Sequence, residues 1–279
     1  MAGQSFEFGV RDLVYGHLGA KDRLARVYQP AGTGPFPAVI LIHGGAWNNK
    51  DRTDGQNVAL DLCAAGILVA ALDFRNAPEA PYPASLQDIN YAVRWLKANA
   101  ARFGTTPRSV GLYGTSSGGH QVLLSALRAD DPRYLAHTVS SAPDMDAKVA
   151  FVISGWGVIF PWDRYKLVKS LGKQDMIKSH ETFFKDEATH LEATPALILE
   201  KGEKVHLPPA LQFQGDKDEF TTVAEAERLA TAWRDRGGRM ELLIAPGERH
   251  TYLNELPTNP NSVKALAAIV AFVKKHAGG

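Results

Sequence analysis

Short apolar runs that alternate with helical patterns are the feature that most constrains the fold of this chain. The run PAVILIH at 37–43 is continuous, β-branched and bounded by proline and glycine, which predicts a buried strand. The same reasoning predicts strands at 67–74, 109–114, 149–158, 209–215 and 240–247, and helices at 57–66, 85–104 (with Ser85 as N-cap), from Ser117 onward, 223–237 and 262–279. The alternation predicts an α/β fold, a mostly parallel twisted sheet with helices on both faces.

Two segments depart from this alternation. Residues 6–16 and 23–30 alternate only partly between apolar and polar, and they predict an antiparallel edge of the sheet. Residues 159–205 carry aromatic and charged residues in short helical pieces between two predicted core strands. A connection of that length predicts an inserted cap over a site. We therefore expect a single domain over 1–279 with a cap at about 159–205.

Composition limits the classes of partner. The formal net charge of +1 among 279 residues gives no field that would favour nucleic acid or an anionic membrane. No apolar run approaches the ~18 residues of a membrane span, and the N-terminus lacks the apolar region of a signal peptide. Cys63 is the single cysteine, so no internal disulfide forms. These features predict a cytoplasmic globular protein.

The segment Gly114-Thr115-Ser116-Ser117-Gly118 matches G-x-S-x-G, the nucleophile elbow. The pattern is weak alone, because a turn rich in glycine and serine also satisfies it. Its context strengthens it, since a predicted strand precedes Ser116 and a predicted helix follows. Glycines on both sides let strand and helix approach closely enough for the serine hydroxyl to project above the sheet.

A second loop at a strand end, His43-Gly44-Gly45-Ala46-Trp47, follows the strand at 37–43 directly. A glycine pair at this place lets backbone N–H groups point into a cavity, as an oxyanion hole requires. An ordinary strand-to-helix turn would also explain the sequence. We expect His43 to bond to loop backbone rather than to carry a proton.

The chain order nucleophile, acid, histidine of this type of hydrolase selects two further loops. Asp216 and Asp218 follow the strand at 209–215, and His250 follows the strand at 240–247. Both loops lie where ligands bind in open α/β sheets, at the carboxyl ends of strands. His250 is the predicted general base and Asp218 the predicted acid, with Asp216 as the competing candidate.

Three stretches together resemble a known family: HGGAW at 43–47, DFRNAPEAPYPA at 73–84 and GTSSGGH at 114–120. They are similar to α/β-hydrolase serine esterases of the hormone-sensitive-lipase-like and feruloyl/acetyl-xylan-esterase-like branch. The GGH at 118–120 is similar to the subgroup that holds kynurenine formamidase-like enzymes. The resemblance extends from about residue 20 to the C-terminus.

This resemblance implies an α/β-hydrolase fold and a catalytic triad of Ser116, Asp218 and His250. It also implies that the backbone N–H groups of Gly45, Ala46 and Ser117 form the oxyanion hole. Ala46 stands where many members have a third glycine, and Thr115 and Ser117 are less usual neighbours of the nucleophile. Neither departure removes a backbone donor, so they bear on substrate preference rather than on activity.

The predicted activity is hydrolysis of carboxylic esters of small to medium, fairly apolar or aromatic molecules. Aromatic residues of the cap, with one from the oxyanion loop, are candidates for the acyl pocket: Trp47, Trp156, Phe160, Trp162, Tyr165, Phe183 and Phe184. Packing of the cap onto the core would explain these rings equally well.

Other functions stay open at this point. An aryl formamidase or a lactonase uses the same triad, and a receptor with a dead site uses the same fold. The sequence has no H-E-x-x-H and no phosphate-binding G-x-x-x-x-G-K-[ST], so we expect no metal or other cofactor. The expected partner is a small-molecule ester, and the resemblance allows a homodimer.

Overall fold

A computed structural model describes residues 5–278, in which eight strands form one sheet. The strands are β1 (Phe8–Leu18), β2 (Lys21–Pro30), β3 (Ala38–Ile42), β4 (Leu68–Leu72), β5 (Val110–Thr115), β6 (Val152–Gly155), β7 (Ala210–Gly215) and β8 (Met240–Ala245). Their order across the sheet is β1-β2-β4-β3-β5-β6-β7-β8. Strands β3 to β8 are parallel, whereas β2 is antiparallel to both β1 and β4. The predicted parallel sheet and antiparallel edge are confirmed.

The helices between and after the strands are α1 (Gln56–Ala64), α2 (Ala84–Ala98), α3 (Ser117–Leu127), α4 (Pro161–Ser170), α5 (Gln174–Phe183), α6 (Glu187–Glu192), α7 (Pro195–Glu200), α8 (Val223–Asp235), α9 (Tyr252–Glu255) and α10 (Pro260–His276). Helices α4 to α7 form the segment between β6 and β7, where the sequence predicts a cap. Two short 3₁₀ turns, Ala100–Phe103 and Pro107–Ser109, lie between α2 and β5.

The sheet separates two apolar cores, because successive side chains of a strand point to opposite faces. On one face Ile40 of β3 packs with α2, α3, α8 and the cap. On the other face its neighbours Val39 and Leu41 pack with α1 and α10. Helices therefore cover both faces, as predicted.

The structure corrects several predicted boundaries. The helix predicted at 85–104 ends at Ala98, and the chain then tightens into the 3₁₀ turn that Gly104 ends with a φ of 59°. Ser85 is wrong as the N-cap, because Pro83 occupies that position and Ser85 is a buried residue of the first turn. The strand predicted at 149–158 is paired only over Val152–Gly155.

Candidate active site

Ser116 lies between β5 and α3, with φ 53° and ψ −121°. Residues other than glycine rarely adopt this backbone conformation, so neighbouring groups must stabilise it. The Ser116 N–H donates to the Gly155 carbonyl at 2.9 Å, and its own carbonyl accepts from His120 and Val158. A Cβ on Gly118 would lie 2.2 Å from the Ile42 carbonyl oxygen, which explains why only glycine fits the turn there.

His250 contacts both the serine and an aspartate. Its Nε2 lies 3.0 Å from the Ser116 hydroxyl, and its Nδ1 lies 2.6 Å from Oδ2 of Asp218. With a proton on Nδ1, the imidazole donates to the carboxylate and leaves Nε2 free to accept the serine proton. The structure thus brings the three predicted residues together in hydrogen-bonding order.

The Asp218 side chain is completely buried. Its oxygens also accept hydrogen bonds from Gln214 Nε2, from the Phe220 N–H, and from the N–H and hydroxyl of Thr221. Burial acts to raise the pKa of Asp218, but the hydrogen bond and charge of His250 and the hydrogen bonds from Phe220 and Thr221 outweigh it, so the pKa lies below its ordinary value. The carboxylate therefore stays ionised although its side chain is buried.

Asp216, the competing candidate, is directed elsewhere. Its carboxylate is exposed and accepts the Gly247 N–H at 2.7 Å. This bond ties the loop after β7 to the loop that carries His250. Asp216 therefore shapes the turn before the histidine without touching the imidazole.

The predicted oxyanion loop approaches the serine closely. A Cβ on Gly44 would lie 3.4 Å from Ser116 Cβ, and both Ala46 and Trp47 have positive φ, at 52° and 64°. Within residues 5–278 the N–H groups of Gly45 and Ala46 donate to no protein group. Ser117 is the first residue of α3, so its N–H has no partner inside the helix. These donors can stabilise a negatively charged oxygen beside Ser116.

His43 has the structural role expected of it. Its Nδ1 donates to the Gly44 carbonyl at 2.8 Å, and its ring stacks on Phe74 at 4.2 Å between centroids. Burial lowers the pKa of His43, so the ring is neutral. His43 therefore holds the loop through its backbone bond and its packing, and it carries no proton to the serine.

The predicted pocket aromatics occupy different environments. Trp47, Trp156 and Phe160 are buried, whereas Trp162 of α4 is half-buried. Trp47 stacks on Phe183 of the cap, with ring centroids 5.2 Å apart. Trp156 lies beside the catalytic candidate His250, 6.1 Å between rings. Trp162 contacts Tyr165 and His190 within the cap, and Phe160 lies against Arg228 of α8. Contact with substrate stays a prediction for all four.

His120 links the oxyanion loop to the cap. Its Nδ1 accepts a hydrogen bond from Trp47 Nε1 at 3.2 Å, and its Nε2 donates to the Ala193 carbonyl at 2.7 Å. Burial lowers the pKa of His120 to about 4, so both bonds are those of a neutral ring. In the sequence, His120 stands out only as part of the GGH motif, which gives no indication of this link to the cap.

Three further residues near the site were not predicted from the sequence: Gln214 of β7, Thr221 and Arg164 of α4. Thr221 lies three residues after Asp218 in a turn, where an aspartate side chain commonly accepts hydrogen bonds from the residues that follow it. Gln214 reads as one more residue of a strand. Arg164 reads as an ordinary helix-surface charge, although it is buried.

Within residues 5–278 no group of three or more histidine, cysteine, aspartate or glutamate side chains is arranged to hold a metal ion. In the same part of the chain, no helix combines the length and apolar character needed to span a bilayer.

A family model described as BD-FAE matches residues 26–233, about three quarters of the chain. The chain belongs to the BD-FAE family. The matched part includes the oxyanion loop, the serine elbow and Asp218, and it ends before His250.

Curated relatives of this BD-FAE protein carry esterase names. Esterase LipC of Mycobacterium tuberculosis is 30% identical over 79% of this chain and 54% of its own length. Carboxylesterase NlhH of the same organism is 26% identical over 96% of this chain and 83% of its own. The chain spans about half the length of several of the curated relatives it matches.

A solved structure confirms the fold. The propionate-bound esterase Est2 of Thermogutta terrifontis has a TM-score of 0.77 at 20% identity, covering 96% of this chain and 94% of that one. The α/β-hydrolase fold implied by the sequence resemblance is thereby confirmed.

Proposed function

We propose that this BD-FAE protein is a serine carboxylesterase that hydrolyses small-molecule esters. The observation that carries the proposal is the continuous hydrogen-bonded series from Ser116 through His250 to buried Asp218. The esterase names of LipC and NlhH support ester over formamide or lactone hydrolysis.

The first step forms an acyl-enzyme. His250 Nε2 takes the proton of the Ser116 hydroxyl as its oxygen attacks the ester carbonyl carbon. Asp218 holds the imidazole with Nδ1 as donor and stabilises the imidazolium that forms. The free N–H groups of Gly45 and Ala46, with that of Ser117, stabilise the tetrahedral oxyanion. The imidazolium then gives its proton to the departing alkoxide.

Deacylation repeats these roles with water as the nucleophile. His250 takes a proton from the water as it attacks the acyl carbonyl, and the proton returns to the Ser116 oxygen when the acid leaves. An ester suits this site because its alcohol leaves readily. A formamide requires efficient protonation of a leaving nitrogen.

The aromatic surroundings support a small to medium acyl or aryl group. The Trp156 ring lies 6.1 Å from the His250 ring, and Phe183 of the cap stacks on Trp47 of the oxyanion loop. We expect kcat/KM to peak at short to medium chains in a series of p-nitrophenyl esters. A peak at dodecanoate or longer would overturn this substrate class.

The test of the activity is hydrolysis of p-nitrophenyl acetate and butyrate by the wild type and Ser116→Ala. Ser125→Ala, a buried serine of α3 outside the triad, is the matched control. We expect Ser116→Ala to abolish turnover and Ser125→Ala to keep it. Turnover of N-formylkynurenine or lactones without ester turnover would replace the proposal by the formamidase or lactonase function. Inactivity on every substrate would leave a receptor.

We also propose a cytoplasmic location, supported by the single, buried Cys63, which a reducing compartment tolerates. A homodimer stays a prediction from the family resemblance.

A further inference from the structure

The cap contains a buried arginine whose charge meets no carboxylate. Arg164 lies on α4 and is 4% exposed. Among residues 5–278, no aspartate or glutamate oxygen lies within 4.0 Å of its guanidinium, and its nearby charges are Asp218 and Glu225. Asp218 is paired with His250, and Glu225 accepts the Thr222 N–H at the start of α8. Burying a cation without a paired anion is costly. The fold nevertheless keeps the Arg164 charge here without a neutralising carboxylate.

Neutral histidines orient this arginine. Arg164 Nη1 donates to His180 Nε2 at 3.2 Å, and His180 Nδ1 in turn donates to His190 Nε2 at 3.2 Å. His190 Nδ1 donates to the Asp186 carbonyl at 2.8 Å. Burial, with the charge of Arg164, lowers the pKa of His180 to about 2, so the series carries no charge of its own. It fixes the guanidinium without neutralising it.

Most of the donors of Arg164 are unused. Its Nε is buried and has no hydrogen-bond partner, and its Nη2 makes no hydrogen bond to any residue of the described chain. Burial lowers the pKa of Arg164 only to about 10, so the group is a cation at neutral pH. Nε and Nη2 are the pair of donors that can bind one carboxylate with two parallel hydrogen bonds.

The guanidinium lies between two loops of the catalytic site. Its Cζ is 5.8 Å from the ring of Trp47 in the oxyanion loop and 6.0 Å from the ring of Phe220, beside Asp218. The Phe220 ring is also 6.0 Å from the His250 ring. Arg164 Cζ is therefore at most 12 Å from the centre of the His250 imidazole, a distance that a carboxylate, a few carbon atoms and an ester group can span together.

We propose that Arg164 binds a carboxylate of the substrate, so that the preferred esters are monoanionic, with an apolar or aromatic body between carboxylate and ester. The inference rests on the proposed esterase function and adds the substrate's charge to it. Trp47 and Phe220 contact the apolar body, and Nε and Nη2 of Arg164 receive the carboxylate.

Two pairs of esters test this with the full chain. Mono-p-nitrophenyl adipate against p-nitrophenyl hexanoate places the carboxylate on the acyl side. Para-acetoxybenzoate against para-acetoxyacetophenone places it on the alcohol side. The measured quantity is the ratio of kcat/KM for the anionic ester to that for its neutral partner. The variants are Arg164→Met, Arg164→Lys and, as the matched control, Lys166→Met, which removes a charge from an exposed position of the same helix.

In the wild type we expect the ratio to exceed one by about tenfold or more in at least one pair. Arg164→Met should lower that ratio about ten- to a hundredfold, the range of a hydrogen bond to a charged group. Arg164→Lys should restore part of it, and Lys166→Met should leave it within about twofold. Equal ratios in the wild type and Arg164→Met, for both pairs, would overturn the inference while leaving ester hydrolysis intact. Absence of turnover on all four esters would instead overturn the proposed function.

A measurement on the wild type alone covers the case in which Arg164→Met does not fold. Benzoate and benzamide share size and shape and differ in charge. We expect benzoate to inhibit p-nitrophenyl butyrate hydrolysis competitively, with an inhibition constant at least about tenfold lower than that of benzamide. Equal inhibition constants would overturn the carboxylate site.

Discussion

The catalytic candidate His250 and the cap pair His180 and His190 show how different surroundings give histidines different chemistry. The imidazole of His250 is 18% exposed and its Nδ1 faces a buried carboxylate. His180 is fully buried, and its two nitrogens face an arginine and a second imidazole. A carboxylate stabilises the protonated ring that a general base must become, whereas a neighbouring cation opposes it.

The protein uses histidine in two ways. In the proposed mechanism, His250 gains and loses a proton during each turnover. His180, His190 and His120 are arranged to stay neutral, and they hold Arg164, Trp47 and the cap in place through directed hydrogen bonds. Replacing the carboxylate that faces His250 should therefore lower the rate of hydrolysis. Lowering the pH should weaken the packing that the neutral histidines hold in place.

The largest expected effect comes from removing the carboxylate that faces His250. Asp218→Asn should lower kcat for p-nitrophenyl butyrate by on the order of 10³–10⁴, because an amide no longer fixes the tautomer or stabilises the imidazolium. Asp216→Asn is the matched control, and we expect it to change kcat by only a few-fold because Asp216 bonds the Gly247 N–H. A large loss in Asp216→Asn with little loss in Asp218→Asn would reverse the assignment.

Acid should destabilise the protein through its buried neutral histidines. Burial lowers the pKa of His120 to about 4, below the ordinary 6.5, so the unfolded chain binds a proton first as pH falls. The resulting loss of stability begins below about pH 6.5 and continues to about pH 4. It amounts to about 2 to 3 kcal/mol from His120 between pH 7 and 4.5.

Urea unfolding of the wild type and His120→Gln at these two pH values measures the effect. Glutamine can still donate to the Ala193 carbonyl but does not titrate. We expect the pH-induced loss to be smaller in His120→Gln by about that amount. An identical loss in both proteins would mean that His120 does not stay neutral in the folded state.

The smallest expected effect concerns the hydrogen bond between Asn48, the residue after the oxyanion loop, and the cap. Asn48 Nδ2 donates to the Ser179 hydroxyl at 2.8 Å. A double-mutant cycle of Asn48→Ala and Ser179→Ala should give a coupling energy of about 1 kcal/mol in the free energy of unfolding. Additive single effects would show that this contact does not fasten the cap.

Short sequence motifs at the ends of strands explain why so much of the candidate site was predictable. The serine elbow, the HGGAW loop and the loops of Asp218 and His250 each follow a strand rich in apolar residues, and parallel strands place their carboxyl ends at one edge. Glycine at 118 marks a contact that no other residue allows. The sequence left Asp216 and Asp218 as competitors, because only the path of the turn decides which carboxylate faces the histidine.

The surroundings of Arg164 lacked any such signal. His180 and His190 come from helices α5 and α6, and their contact with α4 depends on tertiary packing of the cap. The start of α2 is likewise set by its surroundings. The Ala84 N–H donates to the Pro81 carbonyl in the preceding turn, and this turn makes Pro83 rather than Ser85 the N-cap. The intrinsic preference of serine for the N-cap position of a helix is a weaker constraint than this turn.

The central claim is that His250 and Asp218 activate Ser116 as a nucleophile. The most direct measurement is the mass of the intact protein, with peptide mapping, after incubation with diethyl p-nitrophenyl phosphate, whose p-nitrophenolate release counts reacted sites. We predict one diethyl phosphoryl group per chain, on Ser116, formed at a similar rate in Asp216→Asn and far more slowly in Asp218→Asn. No adduct, or an adduct on another residue, would contradict the account.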